Sequence, residues 1–481
     1  MNRAILASGD RIPHLVITTA LLISRIMYNR AGLQFEGDPK AGSWHLIDPV
    51  LYQTDFLRSI YHLHSQPPLM NFFIGFVYRS FPSYYQDVLQ LLYLGMGVLL
   101  AISIYHLCKA LELGRWLSSA LTIWFMVSPA TILYERSLSY GYPITVLLAL
   151  AGVFLFRFEG KGRNGHFLFW SLALMTLTWS LFHWIWLLSA FTLIIAIHGN
   201  HRKVLLAGLA PILFVTTWYA KNLVLVGDFT SSTWAGMNLS KIVTFRTPEK
   251  ERKQMIKRGE LSGLALIPPF RNPLVYLEFL PDTPRTGIPL LDDIYTSIGT
   301  RNFHHLVYAG ASRLYLEDAL HLIRDMPEAY LRSIFQAIYI FMHPASDFDP
   351  IYANRSRIWE FDQWWNRIFH GQWLGDETSI ERNVSRSMLH VGWWILAGFL
   401  ATVVLGTRYL WIHRSDFSSP LPALVLFMMF NILYVTLVGN TMDIGENNRF
   451  RFPVDPYLMI LPVFLAKNIV AQDRILFQPR R

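Results

Sequence analysis

Side chains able to do acid, base or anion chemistry gather in three short stretches, separated by long apolar runs. The first, residues 36–66, carries Glu36, Asp38, Asp48, Asp55, Arg58, His62, His64 and Gln66. The second, "YERSLSYGYP", offers Glu135, Arg136, Tyr140 and Tyr142, and the third, "TMDIGENNRFRFPVDP", offers Asp443, Glu446, Asn447, Asn448, Arg449 and Arg451. A carboxylate within hydrogen-bond reach of a hydroxyl can take its proton. An arginine presents a planar fork of donors that matches the oxygens of a phosphate.

The elements that must position these groups are apolar. Hydrophobic residues make up 53% of the 481 and charged residues 16%, a balance outside the range of soluble domains. The formal charge of +9 does not mark a nucleic-acid binder, because Lys and Arg sit in short loops between apolar runs rather than on a soluble basic patch. The single cysteine, Cys108, excludes an intramolecular disulfide and a Cys-based metal site. "HLVITTALLISRIMYNRAG" lacks a small-residue cleavage site and reads as a retained first helix.

About 20 apolar residues cross a bilayer core of roughly 30 Å. Segments of that kind lie near 12–29, 86–108, 115–133, 142–157, 166–180, 182–198, 203–220, 388–408, 419–438 and 454–471. The expectation is therefore an all-α polytopic membrane protein with about ten transmembrane helices. Lys109 and Arg115, "RFEGKGR", "HGNHRK", "RYLWIHR" and the closing "QPRR" fall on one side, which the positive-inside rule makes cytoplasmic. Both termini are then inside, and 30–85, 221–387 and 439–453 face out. The expected organisation is a membrane module over 1–220 with a catalytic outer loop at 30–85, a mostly helical outer domain over 221–387, and closing membrane helices over 388–481. The 221–387 segment is too long for a mere connection, and "SRLYLEDALHLIRDMPEAYLRSIFQAIYIFM" has apolar residues at three- and four-residue spacing. "RTPEKERKQMIKRGE" reads as a solvated helix or loop.

"LHSQPPLMNFF" interrupts the apolar pattern. Pro67 and Pro68 fix the backbone and withhold two amide donors, so a helix can begin there but cannot extend back through them. His64 and Gln66 are thereby held at its entrance, as substrate-positioning groups or, more plainly, as a capping or interfacial pair. Asp48 before Pro49 carries a similar double reading, since Asp-Pro is strong helix N-cap chemistry.

Three motifs in order resemble the GT-C superfamily of integral-membrane glycosyltransferases, in the branch of the protein O-mannosyltransferases and the lipid A aminoarabinose transferases. "HSQPPLMN" is similar to that branch's His-Pro-Pro-Leu segment, and "TWYAKNLVLVGDFTSSTWAGMNL" to a stretch that follows its middle helices. "GENNRFRFPVDP" resembles its late Glu-x-x-Arg-Phe/Tyr-Arg-x-Pro turn. The resemblance implies transfer of one sugar from a polyprenyl-phosphate carrier to an acceptor hydroxyl on the outer face, with inversion. A carboxylate of the first outer loop would act as base: Asp48 first, then Asp55 and Asp38. This loop departs from the family's adjacent acidic site, because its acids are separated. The leaving phosphate would fall to Arg449 and Arg451, with Lys221 and Arg136 behind them. Glu446, beside those arginines, and Glu135 complete the expected substrate-binding set, the plainer reading of Glu135 being a pair with Arg136. The implied partners are the lipid-linked donor, a lipid, protein or glycan acceptor, and the bilayer.

No cofactor is expected. A divalent cation is the weaker alternative, through Asp347 and Asp349 of "SDFDP" or the acids of "LLDDI". His62 with His64, and His304 with His305, suit no helical metal face. Asn238, Asn354 and Asn383 are glycosylation sequons on the outer side, relevant only in a eukaryotic lumen. An O-antigen ligase or polymerase is the competing enzyme reading, and the first-loop segment disfavours it. A transporter or flippase would show inverted repeats and charges at mid-span, which this sequence does not. A bacterial plasma membrane is the expected location, with an endoplasmic reticulum membrane as the alternative.

Overall fold

The computed structural model describes residues 11–39, 44–158, 163–197, 201–373 and 390–476. The first half runs α1 (Arg11–Arg30), α2 (Pro49–Thr54), α3 (Phe56–His62), α4 (Pro68–Ser80), α5 (Tyr85–Ala110), α6 (Arg115–Val127), α7 (Pro129–Glu135), α8 (Gly141–Phe156), α9 (Arg163–Thr178), α10 (Trp184–Ile197) and α11 (His201–Val226). The long connection supplies α12 (Ala235–Ile242), α13 (Glu249–Lys257), α14 (Pro273–Leu277), α15 (Pro289–Asp292), α16 (Val307–Asp325), α17 (Pro327–Phe341), α18 (Tyr352–Arg357) and α19 (Trp359–Trp365). The chain closes with α20 (Trp393–Ile412), α21 (Pro420–Thr441), α22 (Asn448–Arg451) and α23 (Asp455–Leu476). Among the described residues there is no β-ladder, only isolated bridges between Glu36 and Ser137 and between Tyr295 and Arg301.

Every segment expected to span is helical, but length and apolarity qualify only four: α5, α11, α20 and α21. A fifth exists if α6 and α7 count as one span, and they are bent by 59°. The 115–133 segment is therefore not one straight helix. Pro129 has no amide to continue α6, and the Ser128 hydroxyl instead caps α7 by accepting from the Thr131 amide at 3.3 Å. α8 and α10 are apolar but short, with 16 and 14 residues. The expected ten spans thus reduce, by these criteria, to four or five among the described residues.

One large apolar core runs through α1, the helices α4 to α11 and the closing helices α21 and α23. Two smaller cores lie in the 221–387 segment. The first joins Leu239, Ile242, Met255, Leu322 and Ile340, and the second is aromatic, around Trp234, Phe270, Tyr276, Phe303 and Tyr308. The amphipathic run read in the sequence forms α16 and α17, divided where Pro327 starts a new helix. The charged run forms the largely exposed α13. α12 lies so close to α16 that a Cβ at Gly236 would sit 1.8 Å from the Ser312 carbonyl, so glycine is required there. The Ser312 hydroxyl accepts from the Gly236 and Met237 amides at 3.0 and 3.3 Å, satisfying two donors of the first helical turn.

Candidate active site

The His-Ser-Gln-Pro-Pro segment joins three parts of the chain. α4 starts at Pro68, with Pro67 as its N-cap residue, where the two prolines predict. Ahead of it the imidazole of His64 is fully buried between Thr233 Oγ1, 2.9 Å from Nδ1, and the His304 carbonyl, 3.0 Å from Nε2. His304 is buried in turn, with Nδ1 2.5 Å from the Ser65 hydroxyl and Nε2 2.9 Å from the Leu46 carbonyl. A carbonyl only accepts, so each Nε2 carries the proton and each Nδ1 receives a hydroxyl hydrogen. Both rings are neutral in this arrangement. Burial lowers His64 from an ordinary 6.5 to about 3 and His304 to about 4. The same segment accepts at the His64 carbonyl from the Thr233 amide and at the Ser65 carbonyl from the Ser232 hydroxyl.

Further along the motif, buried Asn71 accepts from the Ile47 amide at 2.9 Å and the Tyr52 hydroxyl at 2.7 Å, and donates to the His45 carbonyl at 2.8 Å. Gln66 accepts from the Tyr140 hydroxyl at 3.2 Å. Lys221, expected as a reserve phosphate ligand, donates instead to the Tyr61 and Leu63 carbonyls at 2.8 and 3.0 Å, its ammonium 3.9 Å above the Trp218 ring. His64, Gln66 and Lys221 thus hold the 36–66 loop against the 134–140 connection and the 221–387 segment.

The acids of that loop have different surroundings. Asp48 caps α2 by accepting from the Val50 amide at 3.0 Å. Both its oxygens also hold Ser297, one through the amide at 2.6 Å and the other through the hydroxyl. Asp55 faces Arg58 at 3.8 Å, a half-exposed pair. Asp38 accepts from the Tyr85 hydroxyl at 2.9 Å. Glu36 carries no sequence signal that sets it apart from the other acids of its stretch. Its backbone pairs with the second stretch, its amide donating to the Arg136 carbonyl at 2.7 Å and its carbonyl accepting from Leu138 at 3.4 Å. Partial burial raises the carboxyl of Glu36 above its ordinary range, with Arg357 opposing.

Glu135 does not pair with Arg136. Its carboxylate is gripped by Arg25 of α1, Nη2 to Oε2 at 2.5 Å and Nε to Oε1 at 3.1 Å, while the Tyr142 hydroxyl donates to it at 2.8 Å. Arg136 donates to Asn29 of α1 at 2.6 Å. The second stretch is therefore bolted to the first helix. An arginine within an apolar run was the available signal, since such residues pair with other charges rather than face lipid.

Arg449 and Arg451, two residues apart, point apart, because two residues of helix turn about 200°. Arg451 is buried and donates to Asp455 at 2.7 Å and to the Phe341 carbonyl. It lines a cavity of about 120 Å³ with Trp124, His370, Trp394 and Phe452. Arg449 lies among aromatic rings, 5.0 Å from the centroid of Phe450 and 5.6 Å from that of Phe348. Its ion contacts are loose, 3.7 Å to Glu446 and 4.0 Å to Asp443, and its buried Nε has no hydrogen-bond partner. Asp443 is held more tightly by Lys241, at 2.5 Å. Arg449 is close enough to His45, Tyr134 and Tyr140 to act on them electrostatically. Burial first, and then Arg449, pushes His45 down to about 3. The His45 ring packs on Tyr140 and Trp234, with centroids 5.0 and 5.9 Å away. His45 of the first stretch and Tyr134 and Tyr140 of the second thus lie within electrostatic reach of Arg449 of the third.

Asp347 holds Arg355 at 3.0 Å and His343 at 3.4 Å, and Arg355 continues to Asp362 at 2.7 Å. The side chain of Asp349 lies outside the described residues, as does Asn383. Among the described residues no group of three His, Cys, Asp or Glu is placed to hold a metal ion. Asn354 is buried, exchanging hydrogen bonds with the Gln34 backbone at 2.7 and 3.0 Å, so this sequon is closed to modification in the fold.

No family model matches the chain, and no curated protein matches its sequence. The chain is similar to the oligosaccharyltransferase AglB from Archaeoglobus fulgidus, solved with an inhibitory peptide and a dolichol-phosphate. The TM-score is 0.41 at 10% identity, over 98% of this chain and 53% of that one. A second structure of an oligosaccharyltransferase from the same organism, tethered to an acceptor peptide, gives 0.38 at 12% identity, over 96% and 50%. ArnT from Cupriavidus metallidurans, in the apo state, gives 0.28 at 12% identity, over 92% and 77%. The chain spans about half the length of the two oligosaccharyltransferase structures.

Proposed function

We propose that this protein is a membrane glycosyltransferase that moves a monosaccharide from a polyprenyl-phosphate carrier to an acceptor hydroxyl on the extracytoplasmic face. The observation that carries the reading is Arg449, a loosely held guanidinium within electrostatic reach of groups from the other two polar stretches. In the reaction a first-loop carboxylate takes the proton of the acceptor hydroxyl, and its oxygen attacks the anomeric carbon from the face opposite the carrier. The bond from that carbon to the phosphate oxygen breaks, inverting the centre, and the phosphate leaves with both electrons. Arg449 stabilises the negative charge that develops there, in surroundings where a fixed cation acts more strongly than in water.

Glu36 and Asp38 suit the base better than Asp48, whose oxygens are occupied by Ser297 and its own helix. Glu36 combines partial burial, a raised proton affinity and attachment to the connection that carries Tyr134 and Tyr140. A base with an affinity nearer neutrality is the more effective proton acceptor. Arg451 and Glu135 support the site through their buried pairs. In this reading the ten helical segments cross the membrane, both termini are cytoplasmic, and 221–387 packs over the outer end of the bundle.

The test is incubation of the purified protein with a panel of radiolabelled polyprenyl-phosphate monosaccharides, with and without a chelator. Turnover of one donor that persists under chelation is the expected result. Absence of turnover across the panel, with carrier bound, overturns the reading and favours a diphosphate-linked glycan donor.

A further inference from the structure

We propose that the outward side of the first loop carries a sugar-ring platform, centred on Trp44, that seats a glycan acceptor. The inference deepens the glycosyltransferase reading by naming the class of acceptor, and rests on that reading.

Trp44 is half exposed, at 50%, although it belongs to an aromatic cluster. One indole face stacks on Phe303, with centroids 4.8 Å apart and planes 18° from parallel, and Phe270 lies 5.8 Å away. Phe303 belongs to the aromatic core of the 221–387 segment, which fixes the indole in place. The guanidinium of Arg301 covers the Phe303 ring at 5.5 Å. Trp44 borders a shallow cleft that also takes in Asp48, Thr296, Thr300 and Arg301. A hairpin builds its far wall, with Tyr295 bridged to Arg301 and Thr296 bonded to Thr300 at 2.8 Å.

A pyranose ring has an apolar face of C–H bonds and a rim of hydroxyls. It needs a flat aromatic surface beneath and short polar groups at the edge. Trp44 supplies the first, as a rigid amphipathic ring that is already ordered. At the edge stand Asp48, Thr296, Thr300 and Arg301, each held by its own contacts (Asp48 on Ser297, Thr296 on Thr300, Arg301 on the Phe270 carbonyl), so a sugar hydroxyl would meet only their remaining lone pairs and N–H groups. A lipid phosphate fits poorly, because Asp48 sits at the rim and Asp293 is close enough to feel its charge. Position supports the assignment as well. Trp44 and His45 are consecutive, with Cα atoms about 3.8 Å apart, and the His45 ring packs inward on Tyr140 near Arg449. A chain of sugars resting on Trp44 would therefore lie beside the proposed transfer site.

Saturation-transfer NMR on the full-length protein in detergent tests this without any carrier. The probes are neutral oligosaccharides of glucose, galactose, mannose and N-acetylglucosamine. At least one should bind, Trp44→Ala should weaken it about tenfold, the scale of one aromatic contact plus its buried area, and Trp44→Tyr should retain most of the affinity. Phe335→Ala, which removes an exposed aromatic elsewhere, should change nothing. Binding that is equal in the parent and Trp44→Ala, or a panel that gives no transfer at all, overturns the platform. Either failure leaves the donor-turnover assay untouched, so the two readings stand or fall separately.

Discussion

The paired histidines make the attachment of the 36–66 loop sensitive to acid. His64 and His304 are neutral and buried, lowered by burial to about 3 and about 4. Once the loop undocks, both return to an ordinary value near 6.5. Between about pH 4 and 6.5 the open form therefore binds about two more protons than the closed form. For a depressed histidine the stabilisation is complete above 6.5 and declines as pH falls toward the folded value. Each site costs about 1.4 kcal/mol per pH unit, so at pH 5 the pair weakens docking by ~4 kcal/mol. Lys221 and His305 lie close enough to His64 to disfavour a positive charge there. Hydrogen exchange of peptides covering 44–66 and 296–306, corrected for intrinsic rates, reads the opening free energy. The parent should lose about 2.7 kcal/mol per pH unit between pH 6 and 4.5. His304→Gln, which keeps a donor toward the Leu46 carbonyl, should lose about half of that. The comparison of slopes is independent of any baseline cost of the substitution. Equal slopes in the two proteins would refute the assignment of neutral, clamped rings.

Three further outcomes follow from the geometry. Arg449→Ala should raise the carrier concentration needed for half-maximal turnover at least tenfold, with Arg449→Lys intermediate, and an unchanged concentration dependence removes it as phosphate ligand. Glu36→Gln should lower kcat by about 10²-fold or more at constant carrier affinity, whereas Asp48→Asn should mainly destabilise, by about 1–2 kcal/mol as lost cap and Ser297 contacts; a full loss of turnover in Asp48→Asn with a normal melting temperature reverses these roles. Glu135→Gln leaves Arg25 buried without a counter-charge and should cost about 3–5 kcal/mol, read as a sharply lower melting temperature, while a change within 1 °C would contradict the pair.

Local chemistry was legible in the sequence wherever it is carried by neighbouring residues. The start of α4 at Pro68, the cap at Asp48 and the solvated α13 each depend on a few adjacent side chains, and each forms as the sequence reads. The ten helical segments were equally visible, because apolar runs and their breaks are local. Contacts across the chain were not. Glu135 and Arg136 look like partners because they are adjacent, yet successive residues of a helix diverge by about 100° and find Arg25 and Asn29 instead. Arg449 and Arg451 look like a pair for the same reason and diverge for the same reason. His304 and Ser297, which complete the clamp on the first loop, lie more than 230 residues from their partners, and no spacing rule reaches that far. Glu36 looks like any other of the separated acids because its distinction, attachment to the second stretch, is made by the backbone.

The Arg25–Glu135 pair also bears on the order in which the protein is made. In the proposed topology α1 enters the bilayer ahead of the other described helices, and it arrives with an unpaired cation about three quarters of the way along. An arginine at the centre of a membrane helix costs about 2.5–3.5 kcal/mol on insertion scales, and one displaced toward the end costs less. Its partner lies 110 residues downstream, which at about 5–20 residues per second is roughly 5 to 20 s of translation. Throughout that interval the nascent α1 is a marginal helix that needs shielding by the insertion machinery or by an attending membrane chaperone. Its release into lipid is then gated by the emergence of α7, so α1 settles only after the next two segments have entered.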